Sequence, residues 1–292
     1  MRAFNYDFSE KCVESRDMKK NCWKRSRLTL TLMAAAWLCA CQTVQTTQSG
    51  SVGVDRKQSM MVSSDQINQS AGQAYRKVLQ DEGKKGAVNH DPELVKRVRA
   101  VATRLIAATG SFRADAPGWK WEVNVISSKD VNAWCMPGGK IAVYTGLIER
   151  ISPSDDELAA VMGHEIAHAL REHGRERASQ AAGQSVAASV IGAALGIGSL
   201  GTDLSSTVLN ITFGLPNSRL HETEADRIGV ELAARAGFDP RASVMLWQKM
   251  GQISGGQPPQ FLSTHPSNET RQQDLQAYAQ RVLPLYEQAR RK

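Results

Sequence analysis

A mostly helical α+β fold is what this sequence predicts, and two observations carry that reading. Helical apolar spacing opens and closes the folded part of the chain, with a short alternating stretch and a Pro-Gly-Gly turn between. Helices, a small sheet, then helices again is the order of an α+β domain, not of a doubly wound sheet. The 292 residues suffice for a sizeable core. No repeat of 20–50 residues is visible, so no helical-repeat module is expected.

Residues 1–40 read as an N-terminal extension and export signal. Lys19, Lys20, Lys24, Arg25 and Arg27 form a basic cluster directly before thirteen uncharged residues, Leu28 to Ala40. That run is too short to span a bilayer but fits the apolar core of a signal peptide. Met18, just before the cluster, is a second candidate start. Leu38-Cys39-Ala40-Cys41 resembles a bacterial lipobox, which makes Cys41 the expected lipidation site. Acyl chains there would anchor the protein to membrane. By the same resemblance, Gln42 favours the outer membrane. A plain cleaved signal is the competing reading.

Residues 41–64 are rich in Gln, Thr, Ser and Gly and lack an apolar period, so a flexible tether is expected. Residues 65–285 read as the folded domain and 286–292 as a C-terminal tail. Within the domain, 65–82 and 91–109 are predicted helices. The second opens Asp91-Pro92, an N-cap followed by proline at the first helical position. Leu94, Val98, Val101, Leu105 and Ile106 give it an apolar stripe. Trp119 to Ile126 alternates and reads as a strand; Lys140 to Tyr144 reads as its neighbour. Ser154 and Glu157 form a capping-box signature that starts a helix at 155.

Composition narrows the function. Hydrophobic residues make up 41% and charged residues 22%, an ordinary globular balance. Residues 1–40 contribute four of the seven net positive charges, so the domain is too weakly basic to argue for nucleic-acid binding. Five cysteines in this length exclude a disulfide-stapled scaffold.

The chemistry lies at His164-Glu165-Ile166-Ala167-His168. Leu158, Val161, Met162, Ile166 and Leu170 make the surrounding helix largely buried. Four residues advance a helix by about 400°, so both histidines leave one face, one turn apart. Two imidazoles so placed can share one Zn²⁺. Glu165, about 100° away, can reach a water beside the metal without being a ligand, as a general base must.

A catalytic zinc needs a third protein ligand. Residues 218–229, Ser-Arg-Leu-His-Glu-Thr-Glu-Ala-Asp-Arg-Ile-Gly, offer it. With Glu222 as origin, Asp226 falls at about 40° and Gly229 at about −20°, beside Ala225 and Ala233. Two carboxylates thus share a face of small residues that admits a second helix. Glu222 ranks first as ligand, and Asp226 as acceptor from a ligating imidazole. Glu224 and His221 are the rivals; they point away from that face.

These motifs resemble the HtpX/BepA-type zinc metallopeptidases, metallopeptidase family 48. Asn132-Ala133 with Pro137-Gly138-Gly139 matches the segment ahead of that family's zinc helix, and Ser263-Thr264-His265-Pro266 with Arg271 matches a late one. The resemblance implies a gluzincin fold and zinc-dependent endopeptidase activity. It implies zinc ligands His164, His168 and Glu222, a base at Glu165, and Asp226 behind the ligands. Asn132, Ala133, Pro137, Gly138 and Gly139 would belong to the edge that receives an extended substrate. Lipoprotein members face the periplasm and act on envelope proteins, so the implied partners are periplasmic or outer-membrane polypeptides. C-terminal helical repeats like those of some members are not expected in residues 1–292.

Three features stay open. Residues 178–202 carry no charge over 25 positions; with five glycines and four serines they favour a mobile helical lid, with membrane contact as competitor. His265 is a candidate catalytic or latency group at the zinc, set against a structural role before Pro266. Cys135 reads as a buried small hydrophobe before a zinc ligand. A chaperone-like binding lipoprotein that rarely cleaves is the alternative function. An intact Glu165 speaks against it, since a structural zinc site gains nothing from a positioned base.

Overall fold

The computed structural model describes residues 42–194, 203–253, 259–266 and 270–291. Two compact units divide the chain, Met1–Gln42 and Thr43–Lys292. The segment 1–40, read from sequence as an export signal, and Cys41 lie outside the described residues.

Strands β1 (Gln42–Val44) and β2 (Gln58–Met60) form a two-stranded sheet, followed by α1 (Ser64–Gly83) and α2 (Pro92–Ala108). Next come β3 (Glu122–Ile126), β4 (Ala133–Met136) and β5 (Lys140–Tyr144), then α3 (Thr145–Ile151), α4 (Asp155–Leu170) and α5 (His173–Ala194). The chain continues through α6 (Leu204–Leu209), a π turn at Asn210–Gly214, α7 (Arg219–Arg235), α8 (Ala242–Gln252), α9 (Gln260–Thr264) and α10 (Arg271–Ala289). Many helices with two small sheets match the expected α+β class.

The helix starts follow from their caps. Asp91 accepts from the Glu93 and Leu94 amides, with Pro92 at the first turn. Ser154 accepts from Glu157 N at 3.2 Å, while the Glu157 carboxylate accepts from Ser154 N at 2.8 Å, the predicted capping box. Ser218 caps α7 by accepting from His221 N. Helix α4 is the centre of the core: Glu157 to Leu170 are all buried. It packs on α7 above all, and on α2, α8 and β4.

The three-stranded sheet has the order β3-β5-β4, parallel between β3 and β5 and antiparallel between β5 and β4. The predicted strands are therefore neighbours, and β4 adds an edge. Pro137-Gly138-Gly139 makes the β4–β5 hairpin. Both glycines have positive φ, 77° and 80°, and a Cβ on Gly139 would strike the Trp121 ring at 2.5 Å.

Two boundaries differ from expectation. Residues 43–64 are not a free tether. Val52, Val54 and Met60 are buried in the core, and Gln58, fully buried, donates to Arg171 O and to Glu176. This segment is held by hydrogen bonds from polar side chains, which leave no apolar period to read. The proposed tail 286–292 likewise begins too early: α10 runs through Pro284 to Ala289, with Tyr286 against the core. Of the 178–202 stretch, α5 accounts for residues up to Ala194, and 195–202 lie outside the described residues. Among the described residues no helix is long and apolar enough to cross a membrane.

Candidate metal centre and active site

Backbone contact between α4 and α7 sets the site. A Cβ on Gly163 would stand 3.0 Å from Gly229 O, and one on Gly229 would stand 2.8 Å from His164 N. The two helices touch where each lacks a side chain. Asp226 and Glu222, one and two turns before Gly229, are thereby carried onto His164.

The ligand atoms converge as the spacing predicts. His164 Nε2 and His168 Nε2 are 3.1 Å apart. Glu222 reaches both, with Oε2 3.4 Å from His164 Nε2 and Oε1 3.3 Å from His168 Nε2. His265 joins them: its Nδ1 lies 3.1 Å from His164 Nε2 and 3.0 Å from Glu222 Oε1. One donor atom from each of the four falls within 4.8 Å of all the others, and all four side chains are buried. His265 is placed there by stacking on Phe261, 4.4 Å between ring centroids, and by its amide donating to Phe261 O.

The far side of each imidazole is also occupied. His164 Nδ1 donates to Asp226 Oδ1 at 2.9 Å. Arg271 lies over Trp247 and donates to the same Asp226 oxygen at 2.7 Å; its Nη2 is 3.1 Å from Glu222 Oε2. His168 Nδ1 faces His173 Nδ1 at 2.9 Å, and His173 Nε2 donates to Glu224 at 2.9 Å. Both Nδ1 atoms are thus engaged outward, which points both Nε2 lone pairs and a carboxylate at one another.

Lone pairs so arranged repel unless a cation lies between them. Glu222 Oε2 accepts no hydrogen bond, although buried. Two imidazole nitrogens and a carboxylate oxygen are also a donor set that suits zinc. The residues present therefore fit a divalent metal ion.

Electrostatics agree. Burial alone would lower the His164 pKa, but Glu222 and Asp226 overcome it and raise it to about 9. A proton there substitutes in part for the cation. Burial drives His168 well below its ordinary range. Glu222 is held well below the usual carboxylate range: burial opposes this, but His265 and His164 prevail. Glu165 goes the other way. Burial raises its pKa against the pull of His265, His164 and a hydrogen bond from the Cys135 backbone. Its Oε1 accepts no hydrogen bond and lies 3.3 Å from His265 Nε2. A buried, partly unsatisfied carboxylate beside a cation site is equipped to take a proton.

One cleft borders the site. Asn132, Ala133, Cys135 and Pro137 line it opposite Glu165 and His168. Tyr144 N donates to Asn132 O, and Ala133 stands opposite Val143. By the antiparallel alternation, the Ala133 and Cys135 backbone groups face away from β5, toward the cleft. Gly138 and Gly139 do not enter it; they turn the hairpin toward Asn68 and Trp121. Cys135 is partly buried, and burial raises its thiol pKa well above the ordinary value. It is not among the four residues whose donor atoms converge.

His221 and Glu224 do point away from the metal side, as their helical angles predict. They nevertheless enter a second buried cluster with His173, Arg171, Glu176 and Arg56. The sequence reading overlooked His173, five residues beyond His168. Glu172, at φ 52°, makes the left-handed turn that separates α4 from α5 and brings His173 back against His168.

Comparison with known proteins agrees with this geometry. The model of peptidase family M48 matches residues 92–279. The mitochondrial metalloendopeptidase OMA1 of Schizosaccharomyces pombe is 35% identical over 212 residues, 72% of this chain and 60% of its own. The human mitochondrial metalloendopeptidase OMA1 is 32% identical over 184 residues, 58% of this chain and 34% of its own. The β-barrel assembly-enhancing protease of Escherichia coli K12 is 26% identical over 216 residues, 68% and 42% of the two chains. The chain therefore spans less than two thirds of the length of these relatives.

Proposed function

The chain belongs to peptidase family M48, and we propose that it is a zinc-dependent endopeptidase that cuts misfolded or unassembled proteins of a bacterial envelope. The observation that carries this is the convergence of His164, His168 and Glu222 beside an unsatisfied Glu165. In this reading those three hold one zinc per chain. When bound, zinc supplies a Lewis acid that acidifies water and polarises the scissile carbonyl.

The protein's own groups do the rest. Substrate lies extended along β4 and donates to the outward carbonyls of Ala133 and Cys135, as in strand addition, because the Ala133 amide is held by Asn132 Oδ1 and the Cys135 amide by Glu165. Glu165 takes the proton of the attacking water at its free Oε1, then gives it to the departing amine. Asp226, held by Arg271, fixes His164 with its Nε2 lone pair toward the ligand cluster. His265 closes the remaining ligand position through Nδ1 and keeps the enzyme latent until it is displaced; its 3.1 Å and 3.0 Å contacts with His164 and Glu222 support this.

The envelope part of the proposal rests on the lipobox-like Cys41 and on relatives that include a β-barrel assembly-enhancing protease. Outer-membrane proteins are accordingly the expected substrates. Two measurements test the proposal. Glu165→Gln should keep its zinc yet lose roughly 10²–10⁴-fold in cleavage of unfolded outer-membrane protein; undiminished cleavage refutes the base. Cys41→Ser should lose incorporation of labelled palmitate, and full incorporation refutes the anchor.

A further inference from the structure

His164 and His168 each have a partner behind the ring, and the two partners differ. His164 donates directly to a carboxylate, Asp226. His168 donates instead to a second imidazole. Because His168 Nδ1 gives the hydrogen, His173 Nδ1 must accept it, and His173 Nε2 then donates to Glu224. Glu224 is clamped by two guanidinium groups. Arg171 donates to both its oxygens at 3.1–3.2 Å. Arg56 donates to Oε1 at 2.7 Å and Oε2 at 3.1 Å, and its remaining donors go to Glu176 at 2.6 and 2.8 Å. Two carboxylates and two guanidiniums leave this cluster balanced, and its link to the ligand set is the chain through His173 to His168.

We propose that His173 and Glu224 are positioning residues for the zinc: they fix the tautomer and ring orientation of His168, and Arg56 clamps them from a segment preceding the family-matched residues 92–279. This rests on the metal-centre reading above. Its consequence is that the peptidase domain does not hold its metal alone. Arg56 is 168 residues from Glu224 in sequence and belongs to the stretch that composition assigned to a tether. Removing an outer partner of a ligating histidine typically costs roughly 10–100-fold in metal affinity.

The test compares two substitutions of nearly equal shape, His173→Leu and His173→Asn, in the full chain. Both lose the ring and its packing; only asparagine can accept from His168. Zinc affinity is read by competition with a chromogenic chelator, and the Co²⁺-loaded proteins are compared by visible absorption. His173→Leu should weaken zinc roughly 10–100-fold and change the Co²⁺ spectrum. His173→Asn should recover most of that loss, although its packing is no better. Equal affinities for the two variants overturn the proposal and leave His173 a packing residue. Should His173→Leu fail to fold, Arg56→Gln reads the same chain from its outer end, since that side chain is 27% exposed. It should weaken zinc measurably, and an affinity equal to that of the unsubstituted protein overturns the proposal. An unsubstituted protein that binds no zinc defeats the metal-centre reading itself, which separates the two failures.

Discussion

Gly229→Ala probes whether helix contact builds the site. The new Cβ would lie 2.8 Å from His164 N and 2.9 Å from its Cα, both backbone atoms that cannot rotate away. Ordinary contact begins at 3.4 Å, so α7 must retreat from α4 by about 0.6 Å, near the tolerance of a catalytic constellation. Stability should change little, because overpacking costs about 1–3 kcal/mol while replacing a mid-helix glycine by alanine returns about 1 kcal/mol. The site should suffer more. Glu222 and Asp226 ride on α7 and His164 on α4, and a 1 Å misplacement can cost about 10²-fold in rate. Hydrolysis should therefore fall about tenfold or more, with weaker zinc binding, while the melting temperature moves only a few degrees. The assay pairs chelator competition with cleavage of an unfolded protein. Gly83→Ala, in α1 with no heavy atom within 4 Å of the new Cβ, serves as control and should leave both unchanged. Full activity and unaltered zinc affinity in Gly229→Ala would refute the claim that backbone contact at this glycine places the ligands.

His265→Ala should raise cleavage of unfolded substrates at early times, because it opens the ligand position that Nδ1 closes; a fall in rate would assign His265 to catalysis instead. Chelating the metal should lower the melting temperature. Zinc at about 1,000 times its Kd stabilises by about 4 kcal/mol, or roughly 8–16 °C for a domain of this size, and a shift below 2 °C would count against a tightly held ion. The metal-free protein should be most stable near pH 6.5. His173, lowered by burial from 6.5 to about 3, must charge on unfolding, so stability is lost as pH falls below 6.5. Glu224 falls from 4.5 to about 2: burial opposes this, but His173 and Arg56 overcome it. Its share, present above 4.5, is lost as pH falls toward 2. His164, raised from 6.5 to about 9, contributes fully below 6.5 and loses that contribution as pH climbs through 9. Melting temperatures from pH 4 to 10 in chelator test this, and zinc should abolish the alkaline limb.

The ligands were legible because helical geometry is local. His164 and His168 share a face by spacing alone, and the small residues around Gly229 announced the helix that would approach. What lay beyond reach was long-range pairing of charge. Nothing in the sequence near Arg56 marks it as the partner of Glu224, and polar Gln58 reads as surface although it is fully buried. Strand β4, implied as a substrate edge by the family resemblance, gave no strand signal of its own for a different reason. Trp134 and Met136 pack toward one cluster, while Ala133 and Cys135 pack toward the other. Both faces being apolar, the strand shows no polar alternation. His173 was overlooked because its role depends on a left-handed turn at Glu172, a residue type with no preference for it.

Charge explains why so many ionisable groups tolerate burial together. Five of the six histidines stand in or beside the centre. Around the ligand atoms, Glu222, Asp226 and Glu165 are faced by Arg271, and Arg177 also attracts Glu222. Crowded carboxylates in a low-dielectric core are costly, and a divalent ion among them offsets that cost. The neighbouring cluster needs no ion, because Arg56 and Arg171 already match Glu176 and Glu224. Neutral histidines link the two: His168 ends the first cluster and His173 begins the second. One cluster is thus built to be completed by metal and the other to be complete without it, so the second can hold its geometry while the first is empty. That asymmetry gives the ligand set a preformed shape on which an arriving ion can act, and it makes the segment before the peptidase domain a structural part of the centre.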